Sequence, residues 1–490
     1  MNIQKIGQGL SILGMLGIIL SLLVDFLPGA KAGIQSVQIL GIEIATVVLL
    51  IGAWALLSDA TETINIKKNI RDLLDQILNL PILVWVLSGF LITYVLFFIS
   101  PMFLNEVRRM HYFITYIPDR FPIGNDMIAV LELAKGWFFQ EQSPYSTQFY
   151  PPFTYVLFAP LLLISNYPTL FLLFTFVGIG SYIFLTLLIP AKVFGKEKIP
   201  FVILLFITGL ISYGFQFELE RGQYNILTFL LCILALYIFH YHPRYRLFAY
   251  LLFSISVQLK LYPAIFIVMF VDDWRNLKST ALRFIGLGIF NFILLFAMGY
   301  KIFFEFMNSV STQLSTPGWG WNGNHSIKAF AGNLAKDGLG VLQPNMLIWV
   351  QQNAELIANL LLLITVACIA SGVLIFHLRK ERGLDCYLLL LCTIGALTIP
   401  VSNDYTLSIL AAPVALFLCG LPELKDTPNR FISIVLITSL AFAYSTTLIP
   451  FKYKPYYMNN AFLPLFIILI ITTLLNFIRY KAAKASSTTS

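Results

Sequence analysis

The chain has 490 residues, of which 58% are hydrophobic and only 11% charged, with a mean hydropathy of +0.81 and a formal net charge of +8. Soluble domains carry about 25% charged residues, so a soluble core of this size has too little polar surface to face water; lipid is the solvent that fits. The basic excess sits in short loops between apolar runs, the pattern that sets membrane topology, which argues against nucleic acid as a partner.

Apolar runs long enough to cross a hydrocarbon core of about 30 Å fall at residues 10–28, 38–57, 82–100, 168–190, 200–216, 224–240, 281–299, 354–377, 384–400, 406–421, 431–448 and 461–478. The first run lacks a small-residue cleavage site and reads as a true span, not a cleavable signal. Residues 101–167 form a long outer segment. Within it, 127–140 has the pattern of an amphipathic interfacial helix, with Glu132 and Lys135 on one side and Trp137 and Phe138 nearby. Residues 153–164 are apolar but too short to span.

The stretch 247–271 reads either as one tilted helix or as two short helices broken at Gln258–Pro263. Arg244 and Arg246 precede it, and Arg275, Lys278 and Arg283 follow it, so both ends prefer the cytoplasm and a helical hairpin satisfies both. With that hairpin the chain is an all-α, polytopic transmembrane helical bundle of about fourteen membrane segments, with both termini cytoplasmic. Short inner loops then hold 20 of the 32 basic residues, among them Lys5, Lys67, Lys68, Arg71, Lys196, Lys380, Arg382 and Lys425. A second long outer segment covers 300–353. Five cysteines (Cys232, Cys368, Cys386, Cys392 and Cys419) show neither pairing nor metal-ligand spacing and read as packing residues.

The stretch PIGNDMIAVLELAKGWFFQEQSPYSTQFYPPF at 122–153 is similar to the first outer loop of the GT-C glycosyltransferases, and most closely resembles that of glycosyltransferase family 87, the polyprenyl-phosphate-mannose-dependent group. Asp126 stands where that family's acidic residue opens an interfacial helix, Ser143-Pro144-Tyr145 resembles its G-x-x-P-Y segment, and Tyr150-Pro151-Pro152 its Y-P-P helix start. Further along, Glu220-Arg221-Gly222-Gln223-Tyr224-Asn225 resembles R-G-Q-x-N, and Gln258-Leu259-Lys260-Leu261-Tyr262-Pro263 resembles the K-x-Y/T-P turn. Asn324-His325-Ser326-Ile327 resembles N-Q-S-L with His in place of Gln, and Ser402-Asn403-Asp404-Tyr405 resembles S-W-x-H-Y without its Trp and His. The resemblance covers about 101–420. It implies N-terminal helices of unassigned role over 1–100, a GT-C-like catalytic core over 101–420, and C-terminal helices with a short cytoplasmic tail over 421–490. It also implies a bacterial plasma membrane enzyme that transfers a hexose, mannose by the family's habit, from a polyprenyl-phosphate sugar donor to a lipid or glycan acceptor, with inversion.

The topology supports one part of this independently. Asp126, Arg221, Lys260, His325 and Asp404 all fall on the outer side, although hundreds of residues separate them. A charge at mid-membrane costs about 2.5–3.5 kcal/mol, so Lys260, at the turn of a short hairpin, needs a partner or a wet cavity; a lipid phosphate is such a partner. Transfer needs a base for the acceptor hydroxyl and cations for the departing phosphate. Asp126 is the expected base, and Lys260, Arg221 and His325 are the expected phosphate ligands. Asn225, Gln223, Tyr150, Asp404 and Lys328 are further substrate-binding candidates. Each has a plainer alternative: Asp126 as a helix cap, Arg221 paired with Glu218 or Glu220, His325 as a solvated loop residue, Lys328 as a surface lysine. Asp119, Glu132 and Glu141 read as solvated acids, and Tyr145, Tyr150, Trp319 and Trp321 as an aromatic belt or sugar platform. No D-x-D and no metal-spaced cluster is present in the sequence, so metal-independent transfer without a cofactor is expected. The rival functions are a transporter or flippase, disfavoured by the lack of a visible internal repeat, and a ligase- or polymerase-type lipid-linked glycan enzyme, for which Asp126 is dispensable.

Overall fold

The computed structural model describes residues 9–17, residues 20, 45 and 48, and residues 124–488 apart from breaks at 147–148, 165, 196–197, 211, 274, 316–322, 337–343, 380–382, 422–429 and 446–459. Most of the first three expected spans, together with Asp119, Trp319, Trp321 and the inner-loop residues Lys5, Lys67, Lys68, Arg71, Lys196, Lys380, Arg382 and Lys425, lie outside the described residues. The chain divides into two compact units, Met1–Pro122 with Leu421–Lys454, and Ile123–Gly420 with Pro455–Ser490. In the first, residues 9–17 and Arg430–Ser445 are helical.

The second unit is built of helices, and the one strand-like feature among its described residues is an isolated bridge between Asn324 and Asn403. It opens with α1 (Asn125–Gln140), whose buried face is Met127, Val130, Leu131 and Ala134, the three-and-four spacing of one helix side. Pro152 starts α2 (Pro152–Phe158), a position where its missing N–H costs nothing, and a 3₁₀ turn continues it to Leu163. Tyr155 and Phe158 of α2 join the α1 face in one apolar cluster with Leu170, Tyr224 and Leu259.

Next come α3 (Tyr167–Ile183), extended through a π turn to Phe194, then α4 (Ile199–Leu210) and α5 (Tyr213–Arg221). The expected span at 200–216 is bent by 54° between α4 and α5, where Ser212 is extended and its hydroxyl bonds back to Gly209 O at 2.6 Å. Helix α6 (Asn225–Tyr241) is apolar on all sides and correspondingly buried, with Phe229, Ile233 and Leu236 inaccessible.

Helix α7 (Arg246–Leu259) ends where Lys260 turns extended (φ −149°, ψ 142°), and a 3₁₀ helix runs back over Tyr262–Met269. The chain does reverse: Arg246 Nη1 at the start lies 2.7 Å from Asp272 Oδ2 just beyond the end, and Arg283 Nη1 lies 3.0 Å from Asp272 Oδ1. Both guanidinium groups also lie against the Phe239 ring, at 4.7 and 4.8 Å. The basic ends of the stretch are therefore together, and Lys260 is at the tip. Gln258, two residues before the tip, donates to Asn291 O at 3.0 Å in α8 (Leu277–Leu294), and Asn291 donates to Ser254 Oγ at 3.0 Å.

The unit continues through α9 (Tyr300–Ser315), α10 (Ile327–Ala335), the long α11 (Pro344–Arg379), α12 (Cys386–Thr398), buried from Tyr387 onward, and α13 (Phe462–Thr488). Ser326 caps α10 and Asp385 caps α12 through side-chain oxygens. Among the described residues, four helices are long and apolar enough to cross a membrane, or five if the bent α4–α5 pair counts as one. The described residues thus do not confirm about fourteen spans. The expected runs 224–240, 384–400 and 406–421 correspond to the apolar helices Asn225–Tyr241, Cys386–Thr398 and Asp404–Gly420, of 10–17 residues each and the last opening with a 3₁₀ portion, which are too short to count among those four. An all-helical integral membrane protein stands.

Candidate active site

Two glycines bring the first pair of polar side chains together. Gly124 (φ 76°) and Gly222 (φ 64°) both take the left-handed conformation that favours glycine. A Cβ on Gly222 would lie 2.9 Å from Met127 Cβ and 3.1 Å from Gly124 Cα, so nothing larger fits between the start of α1 and the end of α5. Gly124 N donates to Glu220 O at 2.8 Å across this contact. Gly124, not Asp126, occupies the cap position of α1, and the Asp126 side chain makes no cap bond.

Asp126 instead faces α5. Arg221 Nη2 donates to its Oδ1 at 2.6 Å, and Gln223 Nε2 to its Oδ2 at 2.7 Å. Arg221 and Asp126 keep 25% and 17% of their side-chain exposure, so the pair is reachable although sheltered. Arg221 therefore pairs with the acid of a distant helix. Its neighbour Glu218 is fully buried, takes Ile226 N–H at 2.7 Å on one oxygen and the Ser408 hydroxyl on the other, and thereby fastens the turn between α5 and α6 to the 3₁₀ segment Asp404–Leu410.

Lys260 enters the same nook from the hairpin tip. Its Nζ donates to Gln223 Oε1 at 2.9 Å and to Tyr150 OH at 3.4 Å. It lies 4.4 Å from the Tyr150 ring centre, 4.7 Å from that of Tyr224 and 5.9 Å from that of Tyr405. Each such face is worth about 0.5–2 kcal/mol, more where water is excluded. Burial, with the Asp126 charge adding to it, raises the Tyr150 hydroxyl well above its usual range, so it remains an O–H. The Tyr150 loop is itself fixed: Tyr145 OH donates to Tyr150 O at 2.8 Å, and Thr154 Oγ1 donates to Gln258 O at 2.6 Å, tying α2 to the hairpin.

His325 and Asp404 form a separate, deeper pair. His325 is fully buried; its Nδ1 accepts Ala461 N–H at 3.1 Å and its Nε2 lies 2.7 Å from Asp404 Oδ1. With Nδ1 accepting, the ring proton is assigned to Nε2, facing the carboxylate. Tyr213 OH reaches the other Asp404 oxygen at 3.5 Å. Around them, His325 N bonds Ser402 O at 2.8 Å, Asn324 Oδ1 accepts Ser326 N at 3.0 Å and Ser402 N at 3.3 Å, and Asn460 donates to Asn324 O at 2.8 Å. His325 thus has Nδ1 hydrogen-bonded by backbone and Nε2 in close contact with a carboxylate oxygen. The pair connects to the Lys260 nook through Tyr405, the residue after Asp404.

The remaining expected residues are placed as follows. Asn225 is buried at the start of α6; its carbonyl accepts Tyr262 OH at 2.8 Å, and its Nδ2 has no partner among the described residues. Lys328 is exposed on α10. Glu132 is on the outer side of α1, with Lys135 at 3.9 Å and Tyr167 OH as hydrogen-bond donor, and Glu141 is exposed. Asp126, Arg221, Gln223, Lys260 and Tyr150 are brought together. The ring faces of Tyr224 and Tyr405, and the Gly124–Gly222 contact, were not legible as parts of one site; the only signal was that Gly222 and Tyr224 lie within Glu220–Asn225, Tyr405 within Ser402–Tyr405 and Gly124 within the 122–153 stretch.

The model of glycosyltransferase family 87 matches residues 149–401, just over half of the chain. The match takes in Tyr150, Arg221, Gln223, Asn225, Lys260 and His325, while Asp126 precedes it and Asp404 follows it. No curated protein and no solved structure matches the chain. The chain belongs to glycosyltransferase family 87, and is a membrane-embedded transferase that moves a sugar from a donor to an acceptor.

Proposed function

We propose that this enzyme transfers a hexose, mannose, from a polyprenyl-phosphate donor to a hydroxyl of a lipid or glycan acceptor at the extracytoplasmic face, inverting the anomeric centre. One observation carries the reading: a carboxylate, Asp126, and an ammonium, Lys260, from helices far apart in sequence meet across a single glutamine. In this reading the acceptor oxygen attacks the anomeric carbon and gives its proton to Asp126. The bond from that carbon to the phosphate oxygen breaks, and the departing phosphate keeps the electron pair. The leaving group gains a negative charge as Asp126 loses one. Arg221, already on Asp126, and Lys260, lodged among three aromatic rings, are the cations placed to follow that shift.

Direct displacement needs one carboxylate on the acceptor side, as in inverting sugar chemistry. The isoprenoid chain supplies affinity, at about 0.8 kcal/mol per buried CH₂, and the phosphate contacts supply position. His325 and Asp404, engaged with each other, serve in this reading as the floor beneath Tyr405 and not as phosphate ligands. The test is Asp126→Asn in membranes supplied with radiolabelled polyprenyl-phosphate mannose. Transfer is expected to fall at least about 100-fold, within the range for loss of a general base, with donor binding retained. Undiminished transfer by the Asn variant would remove Asp126 from the chemistry.

A further inference from the structure

Gln223 is 4% exposed, and its carboxamide is nearly saturated by protein. Its oxygen accepts from the Lys260 ammonium at 2.9 Å, while its nitrogen donates to Asp126 Oδ2 at 2.7 Å and to Tyr150 OH at 3.3 Å. The amide has two N–H donors, so both are spent. No N–H donor is left for a substrate oxygen, and only the second lone pair of the amide oxygen remains open. The direction of the amide is also decided by chemistry: an ammonium only donates and a carboxylate only accepts, so the oxygen must face Lys260 and the nitrogen must face Asp126. Among neutral side chains of this length, only a carboxamide both donates and accepts in this way.

The geometry points to Gln223 as a positioning residue that fixes the Asp126 carboxylate and links it to the Lys260 ammonium, so that occupation of Lys260 by the donor phosphate is felt at Asp126. The inference rests on the assignment of Asp126 and Lys260 made above. Asp126 has one oxygen held by Arg221 and the other by Gln223, which sets the plane of the carboxylate and leaves a lone pair on each oxygen for the acceptor. Hydrogen bonds in a chain polarise one another. When phosphate draws charge from Lys260, the amide's hold on Asp126 slackens at the moment a base is wanted. The arrangement thus favours binding of donor before activation of acceptor.

The test compares Gln223→Met, which keeps length without hydrogen bonds, and Gln223→Glu, which keeps shape and loses the donor toward Asp126, with Asp126→Asn run alongside. Radiolabelled polyprenyl-phosphate mannose is the probe, and donor Kd, kcat and the acceptor KM with and without saturating donor are read. Gln223→Met is expected to lower kcat by about 10- to 100-fold, the usual effect of removing a partner that orients a reacting group, with donor Kd within about threefold and the donor's effect on the acceptor abolished. Gln223→Glu places a carboxylate beside both Asp126 and Lys260, and is expected to lose transfer and weaken donor binding as well. Wild-type kcat in Gln223→Met, or equal loss in every parameter together with a lowered melting temperature, overturns the inference while an inactive Asp126→Asn leaves the base assignment intact. An active Asp126→Asn overturns the base assignment itself, whatever Gln223 does.

Discussion

Lys260 illustrates how one residue carries both a cost and a function. A cation in a membrane-embedded hairpin is expensive, and here the expense is offset by Gln223, the Tyr150 hydroxyl and the faces of Tyr150 and Tyr224. None of these partners is a carboxylate in direct contact, so the ammonium keeps attraction for a phosphate, where a paired one would have spent it. Lys260→Met should weaken donor binding by about 2 kcal/mol, or about thirtyfold in Kd, the value of a hydrogen bond to a charged group. Lys260→Arg should restore part of the binding, since charge is kept but the planar fork does not fit a pocket shaped around a compact ammonium. Equilibrium binding of the labelled donor to the purified variants decides it; unchanged affinity in Lys260→Met would take phosphate binding away from this residue.

At the scale of elements, the site exists because three breaks in helices converge. The α5–α6 turn delivers Arg221 and Gln223, the hairpin tip delivers Lys260, and the start of α1 delivers Asp126. The first of these depends on Gly222. An alanine there meets Met127 Cβ and Gly124 Cα at 2.9 and 3.1 Å and must also hold a φ of 64°. Gly222→Ala is expected to cost about 1–3 kcal/mol of stability from backbone strain and to push α1 away from α5. Both a lowered melting temperature and a larger fall in kcat than in donor affinity should follow, because Asp126 rides on α1 while Lys260 does not. An alanine variant with wild-type stability and turnover would show that the close glycine contact is not needed. The hairpin itself is held at its open end by Arg246 and Arg283 on Asp272, and along its side by the Gln258–Asn291–Ser254 ladder. Flanking basic charge foretold the break within Gln258–Pro263, and the Tyr150-Pro151-Pro152 motif the helix start at Pro152. Neither foretold the bend at Ser212, which depends on a local hydroxyl-to-carbonyl bond.

For the whole molecule, the proposed orientation puts α1 and the hairpin tip outside and the hairpin's basic base inside. Cysteine labelling tests this directly, since the native cysteines are buried or half-buried. Exposed Gln140 and Lys278 suit the purpose. Gln140→Cys should react with a membrane-impermeant maleimide in intact cells, and Lys278→Cys only after permeabilisation. The reverse pattern would invert the topology and place the Asp126 nook on the cytoplasmic side.

The sequence by itself determined the solvent, the helical class, the family and the residue types of the site, because composition and short motifs are local properties that lipid and backbone read directly. It also placed Asp126, Arg221 and Lys260 on one side, since flanking basic charge orients each loop. Only the tertiary structure decided how these residues engage. Arg221 chooses Asp126 over the nearer Glu218 because Glu218 is turned inward to the start of α6 and Ser408. His325 engages Asp404 because two separate motifs bridge backbone to backbone at Asn324 and Asn403. Pairings of this kind depend on which helix ends meet in space, and a pattern of apolar residues read along one segment contains no term for that meeting.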